Sequence, residues 1–205
     1  MQTNAPKFDA TKTALLEAAK DVLLSEGFSG LSTRAIAAAA DTQMSQIRYH
    51  FGSKEGIVLA LYDYMTDQLI YRQRGMFIDQ SLSISQKWDM ACDYLDADIA
   101  SGYVRVLNEL LAQGWSNPKI AEAMTKSLTE WYGLHLALAE EFKESFGSLG
   151  PFEAEDIAAL VGPAFVGIEA FILLGYEEKG IPMRRALRRF GNVIRYFENI
   201  EKGGE

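Results

Sequence analysis

Residues 31–57, LSTRAIAAAADTQMSQIRYHFGSKEGI, leave little choice of local fold. Ser32 or Thr33 can cap a helix, because a hydroxyl there accepts from backbone N–H groups that lack an intrahelical partner. Residues 35–40 supply a small-residue helix against which another can lie closely. Asp41-Thr42 breaks it, aspartate being one of the few residues besides glycine that tolerate a turn backbone. A second helix is predicted over about 43–51, and Ser53 caps a third. At about 100° per residue, Ile47 and Phe51 share one side, with Met44 near the edge of that stripe. Ser45, Gln46 and Tyr49 point the other way, and Arg48 and His50 lie on the flanks. A helix anchored by apolar residues and presenting amides, hydroxyls and a guanidinium is suited to reading base edges in a DNA major groove.

The segment resembles the DNA-binding head of the TetR family of transcriptional regulators. That family's pattern is roughly T-x-R-x-I-A, small residues, a G-V-S-like turn, then L-Y-x-H-F-x-S-K-x-x-L. Ser32, Thr33, Arg34, Ile36, Ala37, Ile47, Tyr49, His50, Phe51, Ser53, Lys54 and Ile57 stand in register with it. Asp41 replaces the turn's usual Gly, Gln43 its usual Ser cap, and Arg48 a common Tyr. The outward face and the resemblance together single out Thr33, Arg34, Gln43, Met44, Ser45, Gln46, Arg48, Tyr49, His50 and Lys54 as DNA contacts. Lys54, in the first turn of its helix beside unpaired N–H groups, is placed to meet a phosphate.

The net charge of −8 looks wrong for a nucleic-acid binder until it is divided along the chain. Residues 1–56 hold six basic and six acidic side chains, and the remainder holds fourteen basic and twenty-two acidic ones. The head is therefore the end that repels phosphates less. An acidic body excludes sequence-blind coating of DNA and fits a protein relying on local contacts in a dimer. One cysteine, Cys92, excludes an internal disulfide framework and offers no metal spacing. With no apolar leader visible near the N-terminus, the expected compartment is the cytoplasm.

The rest of the chain reads as helices. Asp9 can cap one over about 10–26, ended by Gly27, with Phe28 tucked back against it. Further helices are expected at 54–77, 85–101, 103–115, 118–146, 157–176 and 183–200, and no strand pattern of useful length appears. The fold class is all-α: a three-helix head over residues 1–53, then a helical bundle over 54–205 for effector binding and dimerisation, linked by the helix at 54–77. Residues 157–176 are apolar except for Glu169. Their length would allow a membrane span, but the central Glu169, Pro163 and acidic flanks oppose it. A helix covered on all sides, partly by a partner subunit, is the expected reading. The arginines at 184, 185, 188 and 189 are expected to pair with the acidic body.

The resemblance implies that the last two long helices of each subunit form a four-helix homodimer interface. Phe165, Ile168, Ile172, Phe190, Ile194 and Phe197 are the expected contacts. It also implies a near-palindromic double-stranded operator and a small-molecule effector that shifts the linking helix. Trp131 and His135 lie one turn apart on an apolar stripe, near which Trp88, Tyr94, Tyr103 and Trp115 could gather. Gly102, Gly114 and Gly133 could leave gaps beside them. Trp88, Tyr103, Trp131, His135 and Glu169 are the candidate effector contacts. Aromatics at helical spacing are more usually core, and a histidine there is more often a satisfied core residue than a ligand contact. Glu169, if buried, must be paired or protonated, whether by an internal arginine, by an interface hydrogen bond or by a cationic or donor-rich effector.

Enzyme classes find little support. Carboxylate-bridged metal sites in bundles need Glu-x-x-His pairs, and the residues three before the histidines are Ile47 and Tyr132. No phosphate loop, nucleophile elbow or metal spacing appears, and no cofactor is expected. A helical scaffold or small-molecule binder without DNA binding is the remaining alternative.

Overall fold

The computed structural model describes residues 10–202, and every regular element among them is helical. Asp9, the expected cap of the first helix, lies outside the described residues. That helix, α1, is Ala10–Gly30, and its helical geometry breaks where expected, at Gly27 with φ of 71°. Next come α2 (Thr33–Ala39) and α3 (Met44–Phe51). The linking helix is α4 (Lys54–Ile78). The body continues with α5 (Ile84–Ala100), α6 (Tyr103–Gly114) and α7 (Pro118–Phe146). It closes with α8 (Ala154–Leu173), a 3-10 turn (Tyr176–Lys179) and α9 (Met183–Lys202).

Helix starts follow capping chemistry. The Ser32 hydroxyl accepts from the Ala35 N–H at 3.1 Å, and Ser53 accepts from Gly56 at 3.0 Å. Asn117 caps α7 with Pro118 in its first turn. Two starts lie earlier than the periodicity suggested. Ser83 and Gln86 form a reciprocal capping box that begins α5 at Ile84, and Glu153 with Asp156 does the same for α8. At the other end of α8, Gly175 adopts φ of 74°, so the helix stops before Tyr176.

Two apolar cores hold the chain. The first runs without a break from the head, through Leu16, Leu23, Ile36, Ile47 and Leu61, into the body at Val104, Leu107, Leu110, Ile120 and Met124. Arg105 of α6 donates to the Leu24 carbonyl, so a polar contact also ties head to body, and Asn117 holds the first turn of α4 through Glu55 at 3.2 Å. The second core gathers Ile84, Trp88, Cys92, Leu95, Ile172, Leu187 and Ile194 between α5, α8 and α9. Cys92 is buried there, and burial pushes its thiol up to about 11, so it is inert packing. Along the outside of this core Arg184 pairs with Asp96 and Glu177, Arg188 with Asp93, and Arg195 with Asp89. Much of the arginine cluster thus clamps α9 to α5.

Helix α8 is not covered on all sides within one chain. It is long and apolar enough to cross a membrane, yet Glu169 and Ile172 turn inward while Leu160, Phe171 and Leu173 stay exposed. On α9, Phe190, Val193, Tyr196, Phe197 and Ile200 are exposed as well. Among the expected interface residues, Phe190 and Phe197 are therefore on the surface. Ile172 and Ile194 instead pack in their own subunit's core, with Phe165 and Ile168 half-buried against it. A period of 3.6 decides which flank of a fully apolar helix faces out only once its neighbours are placed, and α5 takes the Ile172–Ile194 side.

Candidate DNA-binding face and effector cavity

The recognition face is built by α2, the turn and α3. Asp41 is the one non-glycine residue with positive φ (47°) among the described residues, and it stands where the chain must turn left-handed. The Thr42 N–H closes the turn onto the Ala37 carbonyl at 2.9 Å. Gln43 begins α3 without a side-chain cap; its Oε1 accepts instead from Ser45 Oγ at 3.4 Å. Ile47 is fully buried and Phe51 half-buried, which anchors α3 from behind.

The opposite side stands clear. Gln43, Ser45 and Arg48 are exposed, Gln46 is half-exposed, and Tyr49 is 82% exposed. Met44 is also exposed, so it belongs to the outward face rather than to the edge of the buried stripe. Arg34 is exposed on α2, and Thr33 is half-buried at its start. His50 is half-buried, its ring edge-on to Tyr49 at 4.8 Å. Lys54 is half-buried, with its ammonium 4.9 Å from the Phe28 ring centroid, so α1 helps hold it at the base of the face.

One residue of this unit escaped notice in the sequence. A Cβ on Gly56 would lie 1.9 Å from the Phe51 carbonyl oxygen. Only glycine lets the end of α3 seat against the first turn of α4. A glycine early in an otherwise good helix was the available signal, since such a residue usually has a packing reason.

The second feature is a cavity of about 560 Å³ in the body. All five residues expected to touch an effector, Trp88, Tyr103, Trp131, His135 and Glu169, line it. Leu69, Gln73 and Phe77 of α4 form part of its wall. Tyr94 and Trp115 do not join them: the Tyr94 ring stacks under Arg72, and Trp115 is exposed. Gly102, Gly114 and Gly133 do not open the space either. Gly102 and Gly114 pack on Leu24 and Ala121, and Gly133 is exposed. Gly162 and Gly167 of α8 line the cavity instead. At Gly162 a Cβ would meet the His135 ring at 3.3 Å, so its absence seats the imidazole.

Polar groups in the wall differ in how well they are satisfied. Trp88 Nε1 donates to the Leu187 carbonyl at 2.9 Å. Lys87, buried, donates to both Glu141 oxygens, at 2.6 and 2.9 Å, and to the Phe77 carbonyl. The Tyr103 ring stacks on Tyr62 of α4, and burial pushes its hydroxyl pKa up. His135 is packed between Trp131 and Phe77, and burial lowers its pKa, so the imidazole is neutral near pH 7. Its Nδ1 makes no hydrogen bond among the described residues, and the Trp131 carbonyl one turn back tempers the shift. Asp98 accepts from Arg72 and, at 3.1 Å, from Gln73, yet burial still raises it to about 6. Glu169 is 8% exposed, and burial, with Asp98 nearby, raises it to about 8. Among the described residues no group of three or more His, Cys, Asp or Glu is placed to hold a metal ion.

A three-helix head with a clear polar reading face, set on a helical body with an internal cavity, is the layout of a helix-turn-helix regulator. Residues 15–61 match the family described as bacterial regulatory proteins, tetR family. The HTH-type transcriptional regulator UidR of Escherichia coli K12 is 27% identical over 185 residues, spanning 77% of this chain and 88% of that one. A TetR transcription regulator from Haloarcula marismortui has the same fold, with a TM-score of 0.75, 12% identity, and coverage of 91% and 97%. A regulator from Saccharomonospora viridis, solved in complex with choline, superposes with a TM-score of 0.71 at 18% identity, covering 87% and 94%. Residues 15–61 thus carry the DNA-binding segment described for the tetR family, and the chain is similar over most of its length to regulators of that type.

Proposed function

We propose that this regulator is a cytoplasmic homodimeric repressor that holds a near-palindromic double-stranded operator and releases it when a small molecule fills the cavity. The observation that carries the reading is the course of α4. One end is clasped by α3 through Gly56, and three turns of the other end form cavity wall at Leu69, Gln73 and Phe77. An occupant that fits better with α4 displaced changes the spacing of the two heads, and differential affinity for the two spacings is what release requires. That the Saccharomonospora viridis neighbour holds choline supports a small organic effector. No cofactor enters this reading.

On this reading residues 1–53 are the DNA-binding unit and residues 54–205 the effector and dimer unit. Gln46 and Tyr49 read bases: a Gln amide pairs with adenine N6 and N7, and a Tyr ring meets a thymine methyl. Ser45 adapts beside them, and Arg48 reaches a guanine or a phosphate. Thr33, Arg34, Gln43, Met44, His50 and Lys54 fix the head on the duplex. The exposed apolar faces of α8 and α9 meet their copies across a two-fold axis. A partner subunit covers this surface better than lipid does, because Glu169, within the last two turns of α8, would be costly in a bilayer.

Selection of bound duplexes from a random pool, with light scattering on the same sample, tests the proposal. The expected result is a dimer that enriches two inverted half-sites about one helical turn, or a multiple of it, apart. A stable monomer, or no enrichment with only weak salt-sensitive affinity for every duplex, would overturn it in favour of a helical binding protein without DNA function.

A further inference from the structure

Charge in the cavity wall is almost wholly committed. The Lys87 ammonium is spent on Glu141 and the Phe77 carbonyl. Asp98 is held by Arg72 and Gln73 of α4. His135 is neutral, and Tyr103 keeps its proton. Glu169 is the exception. It lines the cavity, is 8% exposed, and makes no ion pair or hydrogen bond with any described residue. The charge that acts on it most strongly, Asp98, is also negative.

We propose that the ligand of this cavity is a small organic monocation, an amine or quaternary ammonium on an apolar body, selected by the carboxylate of Glu169. The proposal rests on the effector reading above and names the ligand's chemistry. A buried carboxylate without a partner is expensive to keep ionised. In the empty cavity it holds a proton; a cationic head displaces that proton and supplies the missing counter-charge. The surrounding wall suits such a guest. Its remaining surface is mostly Leu, Val and Ala side chains with the rings of Trp88, Tyr103 and Trp131, and aromatic faces attract cations while accepting apolar carbon. An anionic guest would meet two carboxylates and, among the described residues, find no uncommitted cation in the wall. The volume of about 560 Å³ leaves room for an aryl or alkyl body behind a single head. Bound there, the head also lies close to Asp98, whose two partners belong to α4, so ligand charge reaches the linking helix through the Asp98–Arg72 pair.

The test uses the full chain and three probes with one apolar body: 4-phenylbutylamine, 4-phenylbutanol and 4-phenylbutyrate. Tryptophan emission and calorimetry report binding at about pH 7.5, where the amine is protonated, and operator binding is followed alongside. The amine is expected to bind at least about tenfold more tightly than the alcohol, and the acid most weakly. Glu169→Gln should remove the preference for amine over alcohol while leaving alcohol affinity within about twofold. Glu169→Asp, which keeps the charge, should retain the preference, and thermal melts confirm that both variants fold. Equal binding of amine and alcohol, tighter binding of the acid, or a preference that survives Glu169→Gln would overturn the cation assignment and leave the effector cavity standing. Silence of all three probes would overturn both, whether or not the operator is bound.

Discussion

Removing the charge of Glu169 should stabilise the empty protein, and increasingly so as pH rises. The folded-state pKa is about 8 against an ordinary 4.5, with burial as the main cause. The folded chain therefore binds this proton more tightly than the unfolded chain does. The stability it contributes is fully present below about pH 4.5 and is lost as pH climbs through about 8. Over about pH 6.5 to 8, Asp98 has largely finished its own titration, since its pKa is about 6. Within that window the loss approaches about 1.4 kcal/mol per pH unit, or about 2 kcal/mol in all. Water entering the cavity lowers this figure. Glu169→Gln keeps the shape and cannot ionise. Urea unfolding of both proteins at one fixed concentration, repeated across that window, should show the variant gaining on the wild type by about that amount. Taking the difference cancels every group common to both proteins. Parallel stability profiles would refute the reasoning, because they would mean that Glu169 has a partner that keeps it ionised when folded.

Gln46→Ala should cost about 1–3 kcal/mol on the best duplex and relax preference at one base pair, whereas Lys54→Ala should weaken all duplexes alike and shallow the salt dependence; repeat selections and salt titrations check both. Gly56→Ala should destabilise the fold by about 1–3 kcal/mol through the clash with the Phe51 carbonyl and abolish operator binding, read by thermal melts and gel shift. Asp41→Val should destabilise by about 1–2 kcal/mol, because a β-branched residue resists the left-handed backbone that Asp41 adopts, while Asp41→Gly is tolerated. Phe190→Glu should give monomers or aggregate by light scattering and lose the operator although the head is untouched; a variant that stays dimeric would remove Phe190 from the interface.

The head was legible because its signals are local. Ser32, Ser53 and Gly27 act on groups within a turn of themselves, and Ile47 with Phe51 needs only helical spacing to show which side faces in. Capping boxes at Ser83–Gln86 and Glu153–Asp156 were equally readable, yet apolar periodicity drew the helix starts later. The cavity shows the boundary of what one chain's pattern carries. Aromatic content pointed to its five candidate residues, but the space beside them comes from Gly162 and Gly167 on α8 rather than from glycines near the aromatics in sequence. Which carboxylates are paired depends on helices brought together from afar: Asp98 meets Arg72 of α4, and Glu169 meets no cation among the described residues. The outward set on α8 was unreadable for a related reason, since an almost uniformly apolar helix has no polar flank to mark its surface.

The unbroken core between head and body bears on how such a regulator can be taken apart. Arg105 grips the Leu24 carbonyl, and Val104, Leu107 and Leu110 of α6 complete the packing behind α1 and α4. A fragment ending at the start of α4 would expose that seam to water and lose the side chains that hold α1 in place. Exchange of heads between relatives meets the same obstacle. The graft must carry the matching α6 surface, or the new head will sit loosely on its body. Recombination points inside α4 alone would sever the sequence cleanly and the mechanics badly.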